Sequence, residues 1–160
     1  MMSSFTHLNE QGRARMVNVS EKTDTEREAV ACSSVFMKPS TLQKIKEGTM
    51  KKGDVLSVAQ VGGIMGAKKT SDLIPMCHNI FITGVDISFQ LNEKKGEIYI
   101  EARVKSTGKT GVEMEALTAV SITALTIYDM CKSIDKEMII SEITLLEKSG
   151  GKSGYYKKRR

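Results

Sequence analysis

The chain has 160 residues, of which 40% are hydrophobic and 27% charged, values that fit one globular domain and exclude a disordered or fibrous chain. Its net charge of +5 belongs to one end: Lys148, Lys152, Lys157, Lys158, Arg159 and Arg160 lie in residues 148–160 with no acid among them, and the other 18 basic and 19 acidic residues leave the body at −1. A nucleic-acid-binding basic face over the whole domain is therefore not expected, and no run approaches the roughly 18 apolar residues of a membrane span.

Residues 1–26 are polar with weak periodicity and read as a loose N-terminal segment for a partner to order. The opening Met1-Met2-Ser3-Ser4-Phe5-Thr6-His7 has no basic start leading into an apolar run, so no secretory signal is expected. Residues 27–37, with Val30, Val35 and Phe36, predict a strand, and Pro39-Ser40 ends it. Thr41 to Glu47 predicts a short helix stopped by Gly48. Asp54 is placed to cap a second helix running to about Thr70, with Val55, Val58, Ala59 and Ile64 as apolar positions. Gly62, Gly63 and Gly66 weaken that helix by propensity but allow another helix or backbone to approach closely.

Two alternating strands follow, Val85-Ile87-Phe89-Leu91 and Ile98-Ile100-Ala102-Val104, joined by the hairpin connection Asn92 to Gly96. Each has one apolar face, so the sheet should be covered on one side. Residues 112–134 predict the longest helix, apolar almost all round through Met114, Leu117, Val120, Ile122, Leu125, Ile127, Met130 and Ile134, which argues for burial on several sides and a subunit interface. Residues 138–147 predict a last strand with Ile139, Ile143 and Leu145 on one face. The order β-α-β-β-α-β is the α+β, ferredoxin-like arrangement, an antiparallel sheet with helices on one face. It assigns residues 27–147 to one domain and 148–160 to a flexible basic tail.

Gly108-Lys109-Thr110 and Gly151-Lys152-Ser153 end like phosphate-binding loops, but the required earlier glycine is replaced by Arg103 and Leu146, so both are read only as loops that present lysine. Cys77-His78, after Pro75, is a functional candidate without further metal ligands at suitable spacing, and no metal site is predicted. The three cysteines, Cys32, Cys77 and Cys131, are odd in number and far apart, which fits free thiols in a reducing, cytoplasmic setting. Glu113 and Glu115 open the long helix, where acids are favoured. Asp129 and Lys132 form an i, i+3 pair on an otherwise apolar helix, costly if buried without partners, and so point to a site or an interface. Glu115 and Asp129 share a helical face but lie about 21 Å apart along the axis. Two such helices packed antiparallel about a two-fold near Ile122 would bring Glu115 of one copy near Asp129 of the other, making composite sites.

Taken together, Lys52-Gly53-Asp54-Val55, Asp72 to His78, Lys109 to Ala119, Leu125 to Lys132 and Lys148 to Gly154 resemble the cyclic pyranopterin monophosphate synthase family, molybdenum cofactor biosynthesis protein C, over nearly the whole chain from Thr6-His7 to Gly154. The resemblance implies a lyase that converts 3',8-cyclo-7,8-dihydroguanosine 5'-triphosphate to cyclic pyranopterin monophosphate and diphosphate. It implies a homohexamer, a trimer of dimers, with sites at the dimer interface. No redox cofactor is implied, and a divalent cation is compatible with the triphosphate. By position, Asp129 is the catalytic residue. Met76-Cys77-His78 and Met114-Glu115 match substrate-binding segments, to which Glu113 and Asn18 are added. Lys52, Lys132, Lys148 and Arg27 match the basic site residues.

Two positions depart from the family pattern: Asn18 stands where Asp is usual, and Asn79 follows His78 where Pro is usual. An amide keeps hydrogen bonding but cannot act as a base. The residue types suit the implied chemistry: cations for a triphosphate and its diphosphate leaving group, and Asp129, Lys132 and Lys52 for proton transfer. The alternative, a non-catalytic nucleotide- or RNA-binding module, would want aromatics on the open sheet face, where Tyr99 is the one clear candidate. Lys148 and Lys152, on a glycine-rich stretch, read as a lid that encloses phosphate.

Overall fold

A computed structural model describes residues 7–159. Residues 1–6 of the expected N-terminal segment, including Thr6 of the resemblance, and Arg160 of the tail lie outside the described residues. The chain forms β1 (Thr25–Phe36), α1 (Pro39–Lys46), α2 (Val55–Lys68), the one-turn α3 (Thr70–Leu73), β2 (Ile82–Asn92), β3 (Glu97–Gly108), α4 (Glu113–Cys131), β4 (Ile139–Ser149) and a two-residue β5 (Tyr156–Lys157). The sheet order is β2-β3-β1-β4-β5, and every neighbouring pair is antiparallel. Its first four strands have the predicted ferredoxin-like order, with α4 over β1, β3 and β4 and α2 over β2.

The core lies between the helices and this sheet face. Ala29, Ala31 and Val35 of β1 and Ile98, Ile100, Ala102 and Val104 of β3 meet Ala116, Ala119, Val120, Ala124 and Ile127 of α4, all fully buried. Small residues on both surfaces let the long helix sit close to the central strands.

The glycines of α2 serve the close approach expected of them. A Cβ on Gly62 would stand 2.8 Å from Thr126 Oγ1, one on Gly63 would overlap Thr123 Oγ1, and one on Gly66 would stand 2.7 Å from Ile122 Cγ1. The contacts run down α4 as they run up α2, so the helices are antiparallel. The start of α2 therefore lies beside the end of α4, and the segment after α2 lies beside the start of α4.

Four details differ from the sequence reading. Pro39 begins α1 instead of punctuating the chain, in keeping with proline's fixed φ and missing donor at a helix's first position. In β4, Leu145 packs on the core as predicted and Ile140 joins it, while Ile139 and Ile143 are exposed, so the predicted apolar face is incorrect for those two residues. Register shifts opposite Val30/Ala31 and Cys32/Ser34, with Glu142 at φ 57°, insert residues that change the alternation. The tail is not wholly loose: β4 extends to Ser149, and Tyr156 pairs back onto Lys148. Finally, Asp135, which no motif marked, is buried and accepts from Lys38 N, Thr41 Oγ1 and Glu137 N. Burial opposes its ionisation, but these bonds outweigh it and hold its pKa below the usual carboxylate range.

Candidate active site

The predicted site residues fall into two groups at opposite ends of α4. At its C-terminal end, Lys52 reaches from the α1–α2 loop to the Asp129 carboxylate at 3.3 Å and to the Asp129 carbonyl at 3.0 Å. Lys132 meets the other Asp129 oxygen at 2.7 Å. Lys132 and then Lys52 hold the Asp129 pKa below its ordinary value, and Asp129 raises that of Lys132. All three side chains are about half exposed in the single chain, and each charge has a partner of opposite sign. Asp129 and Lys132 lie on the outward face of α4, where solvent screens them.

The second group surrounds the N-terminal end of α4. Glu115 is only 3% exposed, and its Oε2 has no hydrogen-bond partner among the described residues. Burial, opposed by its own backbone N–H and reinforced by Glu113, pushes its pKa up to about 7. Cys77 lies close enough for burial and the Glu115 charge to raise its thiol pKa. His78 Nε2 donates to Val17 O at 2.7 Å, since a carbonyl only accepts. Met76 and Met114 are more than one-third exposed beside these groups.

The end of the sheet completes the group. Register brings the start of β1, the end of β3 and the end of β4 together, with Arg27 beside Ser106 and Ala29 beside Lys148. Arg27 donates from Nε to Gly108 O and from Nη2 to Lys109 O, both at 3.2 Å. Lys148 forms a 3.3 Å ion pair with Glu113 and also bonds Ser153 Oγ. Gly150 and Gly151 turn against Arg27 with φ of 97° and 71°, and a Cβ on Gly151 would overlap the guanidinium.

The sheet end opens into a half-open cavity of about 1210 Å³ lined by Arg27, Lys148, Asn18 and Glu113. It also contains Lys22, Lys109 and Lys152. Five cations face it against the carboxylates of Glu21 and Glu113, a balance suited to a polyanion. The two glycine-lysine strings that fail as phosphate-binding loops thus meet at one cavity, from chain positions more than forty residues apart. Lys109 and Lys152 had that local signal; Lys22 had none. Asn18 Oδ1 accepts from Ser20 N at 2.9 Å, a role that an amide fills as well as a carboxylate.

One chain does not unite the two groups, because α4 separates Glu115 from Asp129 by about 21 Å. The open sheet face does not resemble a base-stacking platform. Its groove carries Glu97, Glu101, Glu142 and Glu147 among its cations, and Tyr99 donates to Glu101. Among the described residues, no helix is long and apolar enough to cross a membrane.

Comparison with known proteins finds relatives along nearly the whole chain. Three relatives are each named cyclic pyranopterin monophosphate synthase. That of Thermoanaerobacter pseudethanolicus is 66% identical over 97% of this chain and 98% of its own. That of Peptoclostridium acidaminophilum is 67% identical over 96% and 97%. That of Clostridium acetobutylicum is 63% identical over 99% and 98%. A family model described as the MoaC family matches residues 16–151, and the chain belongs to that family.

Proposed function

We propose that this protein is a cyclic pyranopterin monophosphate synthase, a lyase of molybdenum cofactor biosynthesis. It converts 3',8-cyclo-7,8-dihydroguanosine 5'-triphosphate to cyclic pyranopterin monophosphate and releases diphosphate. The carrying observation is the 63–67% identity to synthases over almost the full length of both chains. The site residues support it by their chemistry.

Arg27, Lys148 and the other cavity cations hold the triphosphate and stabilise charge on the departing diphosphate. Asp129, held ionised by two lysines, accepts a proton. Lys132 and Lys52 are the paired donors, their charge balanced while Asp129 is ionised. Glu115 and His78, with Met76, Cys77 and Met114 beside them, hold the base and ribose. Glu113 positions Lys148 through their ion pair. The reaction requires no redox cofactor, and a divalent cation would come bound to the triphosphate.

The working site is composite. Antiparallel packing of two α4 helices about a two-fold near Ile122 places Asp129, Lys132 and Lys52 of one copy opposite Glu115 of the other. Exposed Val58, Val61 and Met65 on α2, with Met114 and Leu125 on α4, supply apolar surface for such a contact. We take the assembly to be a homohexamer, a trimer of dimers, in the cytoplasm. Incubation of the purified protein with the cyclised triphosphate tests the activity. A pterin, fluorescent after oxidation, with one equivalent of diphosphate is expected; neither product appearing rejects the reading.

A further inference from the structure

We propose that Lys109 and His78 are positioning residues that pin the segment from Val17 to Lys22 at two points and so set Asn18 and Lys22 on the rim of the cation-lined cavity. The identity of the anion rests on the synthase reading; the geometry does not.

Residues 15–19 and 23–24 form no regular secondary structure, and in the segment Val17 and Val19 alone are partly buried. Its position depends on side chains from elsewhere in the chain. His78, 61 positions later, donates from Nε2 to Val17 O at 2.7 Å. Lys109, 89 positions later, donates to Ser20 O at 2.8 Å. Between these pins the segment is folded on itself: Ser20 N donates to Asn18 Oδ1 at 2.9 Å, and Lys22 N donates to Val19 O at 3.0 Å. A movement of Ser20 therefore displaces Asn18 and Lys22, both of which line the cavity.

The pins also constrain what their owners can do. With its Nε2 proton on Val17 O, His78 has only Nδ1 left for a ligand that reaches it from the other side. The Lys109 ammonium has three donors, of which Ser20 O takes one. Since Lys109 itself lines the cavity, the remaining donors can meet phosphate oxygens. One ammonium then joins the segment to the anion, so anion binding orders residues 17–22, and loss of that ammonium weakens the contribution of Lys22 without altering Lys22 itself.

Inorganic diphosphate and the full chain suffice for the test. Calorimetry gives affinity, and amide hydrogen exchange of Ser20 and Lys22 gives segment order. Diphosphate should slow exchange in residues 17–22. Lys109→Met should abolish that slowing and weaken binding about tenfold, while Lys109→Arg, which keeps a charged donor, should restore both. His78→Phe should speed exchange at the same amides. Lys22→Ala should cost less affinity in the Lys109→Met background than in the natural chain. Unchanged exchange in Lys109→Met, or fully independent effects of the Lys22 and Lys109 substitutions, overturns the proposal. None of these readouts needs turnover: intact coupling without pterin formation rejects only the synthase reading, and pterin formation without coupling rejects only this one.

Discussion

Lys52 and Asp129, 77 positions apart, are joined twice, at the Asp129 carbonyl and at its carboxylate. The antiparallel packing of α2 on α4 produces this contact, because it brings the loop before α2 to the last turn of α4. The ammonium thus fixes both the helix end and the acid that the proposed reaction uses.

Asp129→Asn and Lys132→Ala should each lower turnover by about 10²-fold or more, the scale of a lost acid–base group. Both side chains are about half exposed, so their removal should leave the thermal midpoint and the oligomer unchanged. Single-turnover assays alongside calorimetry check this; near-normal rates would take either residue off the catalytic list.

Glu115 should make stability depend on pH. Its folded pKa, about 7, lies above the ordinary 4.5, so the folded state holds the proton more tightly. Its contribution is most favourable below about pH 4.5 and is lost as pH rises to about 7. Glu115→Gln should therefore raise the urea midpoint at pH 8, by an amount corresponding to on the order of 3 kcal/mol, with the gain shrinking toward pH 4.5. An equal gain at both values would show that burial does not control its ionisation.

Gly63→Ala should destabilise the protein by about 1–3 kcal/mol, the range for overpacking. Its new Cβ would meet Thr123 Oγ1, Ile87 Cδ1 and, at 3.0 Å, the Ala119 backbone oxygen, which cannot rotate away. Gly84→Ala, with nothing within 4 Å, is the control and should be near neutral. Equilibrium urea unfolding of both variants decides it.

The apolar stripe Val58, Val61 and Met65 should be covered by a second copy of this chain. Sedimentation velocity at micromolar concentration should show a dimer or larger species, and Val61→Asp with Met65→Asp should shift it toward monomer and reduce turnover. A stable, active monomer of the natural chain would refute the composite site.

The turn at Gly150 and Gly151 should be the lid's hinge. Lys148→Ala with Lys152→Ala should raise KM, and cleavage near Gly150 in limited proteolysis should slow when diphosphate is present. If KM and kcat are both unchanged, the turn has no part in phosphate binding.

What the sequence determined alone is what depends on neighbours along the chain. Val85 to Leu91 and Ile98 to Val104 alternate because pleated strands alternate, and the structure pairs these runs in register. Gly62, Gly63 and Gly66 announced a close contact without naming its partner. The family strings marked Asp129, His78 and Glu115 together with their residue types. Tertiary structure decided the rest. One residue inserted near Glu142 turned Ile139 and Ile143 away from the core while Leu145 stayed on it, since alternation has a period of two and one extra residue inverts it. The burial that raises the Glu115 pKa comes from packing that no local pattern records. Lys109 and Lys152 stand in loops whose glycine-lysine strings hint at phosphate, and Lys22 looks like a solvated charge in the sequence. They share one cavity because the register of β1, β3 and β4 brings three distant segments to the same sheet end, and such register is set by contacts between residues far apart in the chain.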